Sequence, residues 1–127
     1  MIKMGGLMIP CVAALLLPVG VGNAIDIDAK SFQCITKMTP VRQFFVDNLL
    51  RGNFEATLAA ASAKRGAVYP AGSVIQLVPG EAMVKREAGF NAATHDWEFF
   101  VLDVSKDGTK IRQRGSTEVA NSLGGCW

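Results

Sequence analysis

Trp97-Glu98-Phe99-Phe100-Val101-Leu102-Asp103-Val104 is the most strongly β-forming stretch of the chain. Aromatic and β-branched side chains suit a pleated surface, and apolar residues stand at both parities, which places this strand inside a sheet covered on both faces. Reading outward, Lys106-Asp107-Gly108-Thr109 is a hairpin turn, because Asp-Gly readily supplies the positive φ angles a tight turn requires. Lys110 to Arg114 is then the return strand. Upstream, Ser73 to Val78 is a short β-branched run closed by Pro79-Gly80, and Ala82 to Glu87 is its partner. Residues 88–96 form a loop ending in His95-Asp96. The strands follow one another with short connections, which predicts an antiparallel meander.

Ahead of the meander the pattern reads as helical. Thr39-Pro40 suits an N-cap followed by the first helical turn. Val41, Phe44, Phe45, Val46, Leu49 and Leu50 then form a wide apolar stripe at helical spacing, up to Gly52. Asn53 is placed to cap a second helix, Phe54 to Arg65, which ends at Gly66 with Lys64 and Arg65 where the helix dipole favours cations. The pair is expected to be a packing layer without chemistry. The fold class is therefore α+β: an antiparallel β meander with an N-terminal helical hairpin.

Composition bounds the function. The 127 residues are half apolar and carry a net charge of +2. That charge is too small for a nucleic-acid binder working by phosphate neutralisation. The apolar excess lies at the N-terminus, where Lys3 precedes an apolar run from Leu7 to Val21 broken by Pro10 and Pro18. Gly22 and Ala24 put small residues at the −3 and −1 positions of a signal-peptidase site. Residues 1–24 are read as a secretory signal peptide cleaved after Ala24, with Cys11 leaving inside it. The mature domain, 25–127, then enters an oxidising periplasmic or extracellular compartment and has no membrane span.

Two cysteines remain, Cys34 and Cys126. In a secreted domain such a pair usually forms a disulfide, and that pairing within a non-haem binding or structural module is one reading. The other starts from Gly124-Gly125-Cys126-Trp127, which follows a helix-compatible segment from Ser116 to Ser122 and suits the first cysteine of a C-x-x-C-H haem-attachment motif.

An ordered series supports the second reading. Val68-Tyr69-Pro70-x-Gly72-Ser73-Val74, then Leu77-Val78-Pro79-Gly80-Glu81-Ala82-Met83-Val84-Lys85, then Asp96-Trp97-Glu98-Phe99-Phe100, then Gly124-Gly125-Cys126 resembles the cytochrome P-460 family, which includes the cytochromes c′-beta. The resemblance covers most of residues 39–127. It implies a largely antiparallel β domain, commonly a homodimer, with one haem c against the sheet. It also implies a periplasmic function in electron transfer to a redox partner protein, or in binding or oxidising a small nitrogenous molecule. By the same resemblance Cys126 makes the first thioether and Trp127 is the first x. The second cysteine and the axial His are expected beyond Trp127, because the only histidine here is His95. No metal ligand is therefore expected within these residues.

Phe99, Phe100 and Met83 are the residues considered for the haem pocket. His95, in an Ala-Ala-Thr-His-Asp loop, reads as a solvated side chain rather than a ligand, and Met38 reads as packing. Lys110, Arg112 and Arg114 alternate along the last strand and are expected to share one face, as a solvated surface or as partners for propionates or an acidic protein. Lys85 occupies a tempting place for a lysine–haem cross-link but matches no motif for it. Glu81 and Glu98 would act as a proton relay only if they faced the pocket. With a single His, Ser-His-Asp chemistry has no support.

Overall fold

The computed structural model describes residues 24–122. Six strands form one antiparallel sheet in strict chain order: β1 (Thr39–Val41), β2 (Phe44–Asn48), β3 (Ser73–Leu77), β4 (Glu81–Lys85), β5 (Trp97–Ser105) and β6 (Gly108–Gly115). Two helices accompany it, α1 (Phe54–Ser62) and α2 (Thr117–Ser122). The expected α+β class and the meander of β3 to β6 are present. Residues 1–23 of the expected signal peptide, 1–24, and Cys126-Trp127 lie outside the described residues. Among those described, no helix is long and apolar enough to cross a membrane.

The expected helical hairpin is not formed. Residues 39–48 are a β-hairpin whose register pairs Val41 with Phe44 and Thr39 with Val46, leaving Arg42-Gln43 as a two-residue turn. Arg42 takes φ +54°, the sense that two-residue hairpin turns demand. Pro40 is tolerated because β1 is an edge strand, where its missing N–H breaks no interior ladder. The β-branched and aromatic content of Val41-x-x-Phe44-Phe45-Val46 outweighs its helical spacing once β3 offers a partner ladder, Phe45 opposite Gln76 and Val46 opposite Ile75.

α1 starts where expected but ends at Ser62, with Ala63 already extended, so Lys64 and Arg65 fall outside it. Asn53 does not cap it through its side chain. Its amide donates to the Ala71 carbonyl instead, at 3.4 Å.

Alternation along the strands assigns the two faces. On the first lie Val74, Ala82, Val84, Phe100 and Leu102, covered by an extended strap, residues 25–38, that contributes Ile25, Ile27, Phe32 and Met38 to the same core. Met38 is thus core packing. Phe100 is completely buried, and its ring meets Phe32 with centroids 4.9 Å apart. The strap contains two 3-10 turns, Ala29–Ser31 and Ile35–Lys37. The first is fixed by Asp28, whose carboxylate accepts from the Lys30 N–H at 2.8 Å while its own N–H donates to Ser31 Oγ.

On the second face, α1 packs against β2, and α2 packs against β5 and β6. Buried hydroxyls stitch α1 down: Asn48 donates to Thr57 Oγ1 at 2.9 Å, and Thr57 Oγ1 lies 2.7 Å from Ser73 Oγ. At the Pro79-Gly80 corner, the Leu102 N–H donates to the Gly80 carbonyl at 2.7 Å. A Cβ on Gly80 would collide with the Leu102 carbonyl, so the close approach of two backbones requires glycine here.

Candidate functional site

The second face carries the residues that chemistry could use. Met83 pairs with Phe99 across β4 and β5, and Lys85 pairs with Trp97 one pleat further on. Ile75, Met83, Trp97 and Val101 are half-buried along the middle of this face, since α1 sits on β2 and α2 on β5 and β6. Phe99 is buried with Val119 of α2. The result is an apolar strip flanked by helices.

Of the three expected pocket residues, Met83 and Phe99 therefore meet. Phe100 does not join them, because adjacent strand residues point to opposite faces and its ring fills the strap-side core. Glu81 shares the Met83 face, since its partner Val101 lies two residues along from Phe99.

At one end of the strip, a depression of about 460 Å³ is lined by Tyr69, Lys85, His95, Asp96 and Trp97 together with Ala67 and Val68. Tyr69 and Trp97 stack edge to face with centroids 5.3 Å apart. Lys85 Nζ lies 5.4 Å from the Trp97 ring centroid and donates to the His95 carbonyl. This cation is held by both a π face and a carbonyl dipole. His95 itself is exposed, in the left-handed region at φ +52°. Asp96 organises the loop by accepting from the N–H groups of Asn91, at 2.9 Å, and Gly89, at 3.3 Å. The Asn91 bond leads in holding its carboxyl below the usual carboxylate range. Tyr69 is pushed upward by burial.

Two expectations about charge are settled by position. Lys110, Arg112 and Arg114 do not share a face, because a register shift between Val101 and Leu102 pairs Phe100 with Arg114 but Leu102 with Ile111. This leaves Arg112 as the extra residue of a bulge. Arg114 turns to the strap side, while Lys110 stays opposite Asp103 on the other face and Arg112 pairs with Asp103 at 3.3 Å in the open. Glu98 is no relay to Met83 and Phe99. It faces the strap, where Arg114 Nε and Nη2 bind both its oxygens at 2.9 Å and Arg86 Nη1 binds Oε1. The Glu98 hydrogen bonds raise the Arg114 guanidinium above its ordinary value. The same two arginines hold the strap backbone, Arg86 at the Ile25 carbonyl (2.7 Å) and Arg114 at the Ile27 carbonyl (2.9 Å). No local pattern announces this cluster, because its members lie on β5, on β6, just after β4 and in the strap.

A larger cavity, about 800 Å³, opens between the strap and the far end of the sheet, lined by Phe32, Ile35, Leu77, Pro79 and Val104 with Gln76 and Cys34. Gln76 Oε1 is buried there without a hydrogen-bond partner. Cys34 is exposed, with no disulfide among the described residues. Thr36 Oγ1 donates to its sulfur at 3.1 Å, and this bond, the largest influence, lowers the thiol below its usual value. Cys34 is expected to alkylate with iodoacetamide in the native protein near neutral pH, and Thr36→Val to slow that reaction several-fold by removing thiolate stabilisation. Mass spectrometry of the alkylated protein reads both. A native protein refractory until reduced would instead place Cys34 in a disulfide.

Among the described residues no group of three or more His, Cys, Asp or Glu is arranged to hold a metal ion. No protein-family model, curated protein or solved structure matches the chain.

Proposed function

We propose that the chain is an exported c-type haem protein of the cytochrome P-460 kind, carried into the periplasm or beyond by residues 1–24. The supporting observation is that Met83, Phe99 and Trp97, drawn from the motif series that resembles this family, share one sheet face between two helices. A half-buried apolar strip of that kind fits a flat, largely apolar ring, and the helix that borders it leads to Cys126, the thioether residue of this reading. His95, by contrast, does not fit the role of axial ligand in the family manner, so the proximal ligand belongs to an x-Cys-His sequence after Trp127.

Haem, when bound, supplies the redox and small-molecule chemistry of iron. Met83 and Phe99 would present apolar surface to the ring and exclude water. Lys85, fixed by Trp97 and the His95 carbonyl, would place a cation at the rim of the strip, where a carboxylate group can be paired. Glu81, which shares the Met83 face, would be the residue to carry a proton. The function is then electron exchange with a partner protein, or binding or oxidation of a small nitrogenous molecule, and turnover assays separate a carrier from an enzyme.

The test is expression, behind the chain's own leader, of the reading frame carried through the residues after Trp127, in a host with a c-type maturation system. Haem that survives denaturing electrophoresis and is lost in Cys126→Ala is expected. A continuation other than x-Cys-His, or a product without a Soret band, overturns the proposal.

A further inference from the structure

The strap enters the fold at Ile25. Ala24 is exposed, while Ile25 is 7% exposed and already part of the core. The Ile25 nitrogen faces Glu87 Oε2 at 3.4 Å. The same carboxylate oxygen lies 3.2 Å from Arg86 Nε, and Arg86 grips the Ile25 carbonyl. The side chains of Glu87 and Arg86 are only 14% and 10% exposed. This is a partly desolvated pocket in which carboxylate and guanidinium hold the N–H and the carbonyl of one residue, Ile25.

An amide gives that carboxylate a single, long hydrogen bond. An ammonium in its place would bring three donors and a full charge, and charge-assisted bonds of this type close to about 2.7–2.9 Å. Such a group exists only if the chain begins at residue 25. The leader reading, from Gly22 and Ala24 alone, selects the Ala24–Ile25 bond. Glu87, 62 residues further on, lies against the nitrogen that cleavage of that bond would free.

We propose that Glu87 is the binding site for the α-ammonium of the processed chain, and that cleavage after Ala24 locks the strap onto the sheet. The inference rests on the leader reading within the proposed function. In the processing step water adds to the Ala24 carbonyl, the C–N bond breaks, Ala24 leaves as a carboxylate, and Ile25 keeps its nitrogen as an ammonium. The new cation then faces Glu87 and Arg86 directly. Glu98 and Arg114 lie behind them from β5 and β6, and the exposed Asp26 and Asp28 stand on the strap itself. Within the cluster the guanidiniums of Arg86, buried, and Arg114, 39% exposed, are balanced by two carboxylates, and Asp26 adds a surface anion beside the new charge.

The pairing has a defined pH dependence. An ammonium gaining a carboxylate partner has its folded pKa raised above the ordinary α-amino range of about 7.7–8.0. Its contribution is complete below that range and disappears as pH climbs through the raised value. For Glu87, burial pushes the carboxyl up, but its hydrogen bonds from backbone N–H groups, Ile25 included, and from Arg86 outweigh this and hold it below the usual value. It is therefore ionised wherever the ammonium is present above mildly acidic pH.

The experiment begins with the mass of the exported protein. A start at Ile25 is expected, and any other start overturns both the leader reading and the lock. On protein beginning at Ile25, acylation of the α-amine by an N-hydroxysuccinimide ester is expected to be about tenfold slower in the native state than in urea, with Glu87→Gln removing most of that protection. Thermal melting supplies the second arm. Protein starting at Ile25 is expected to melt about 5 °C above one carrying Ala24 as an extra residue at pH 7, a gap that closes in Glu87→Gln and above roughly pH 10. A gap of equal size with and without the Glu87 carboxylate overturns the lock while leaving the leader reading intact. So does an unprotected amine on a correctly processed chain.

Discussion

Glu98→Ala is expected to destabilise the domain by about 3–5 kcal/mol, the range for removing one partner from a buried ion cluster. The side chain of Glu98 is 7% exposed and receives both guanidiniums, Arg86 and Arg114. Deleting it strands Arg86, itself 10% exposed, beside a core that can solvate no charge. The loss spreads to the strap, because those guanidiniums also hold the Ile25 and Ile27 carbonyls. Against a total stability on the order of 5–15 kcal/mol for a domain of this size, such a loss is about a fifth of it or more. Urea denaturation followed by tryptophan fluorescence reads the shift, Trp97 lying next to Glu98. A midpoint within error of wild type would show that the cluster contributes nothing.

Phe100→Ala is expected to cost a similar amount, about 3–5 kcal/mol, through the cavity it leaves. Its ring is fully buried and packs on Phe32. The Arg114 guanidinium also stacks on it, 5.0 Å from the ring centroid. Because Phe100 supports the arginine that Glu98 binds, the two substitutions share partners, and their combined cost should fall short of the sum. Met83→Ala, on the opposite and half-buried face, should cost roughly 1–2 kcal/mol. Denaturant midpoints of the three variants decide this. Equal losses at Met83 and Phe100 would contradict the division of the sheet into a strap-covered face and a helix-flanked one.

The sequence made the second half of the fold legible and obscured the first. Val74, Ala82, Val84, Phe100 and Leu102 announce their strands because turns with strong chemistry bound them, Pro79-Gly80 between β3 and β4 and Asp107-Gly108 after β5. Residues 39–48 mislead because Val41, Phe44, Phe45 and Val46 satisfy a helical and an extended spacing at once, and because Arg42-Gln43 carries none of the Gly, Asn or Asp that usually marks a two-residue turn. Only the ladder with β3, a non-local partner, decides between them.

The strap's alternation, Ile25-Asp26-Ile27-Asp28, spans only four residues and pairs with no turn signal, so its burial does not stand out in the sequence. At the candidate site, Met83 and Phe99 come together as strand alternation predicts for partners in register. Phe100 separates from Phe99 for the same reason, which residue chemistry alone did not distinguish. The bulge at Arg112 undid the simple alternation of Lys110, Arg112 and Arg114. Glu98 found its partners across strands, where no spacing rule reaches.

The strap also sets a schedule. Ile25 and Ile27 are among the first residues of the domain to be synthesised, yet their backbone anchors are Arg86 and Arg114, the second of them 87 positions later. The face they cover is built mainly from β3, β4 and β5, and its second anchor arrives only with β6. Loop closure over such a span is slow compared with hairpin formation, so the hairpins can assemble early while the molecule stays open along one side until nearly all of it has emerged. Under the export proposed above, a chain crossing a membrane unfolded would gain from that order, since its N-terminal strap is the last piece to be put in place.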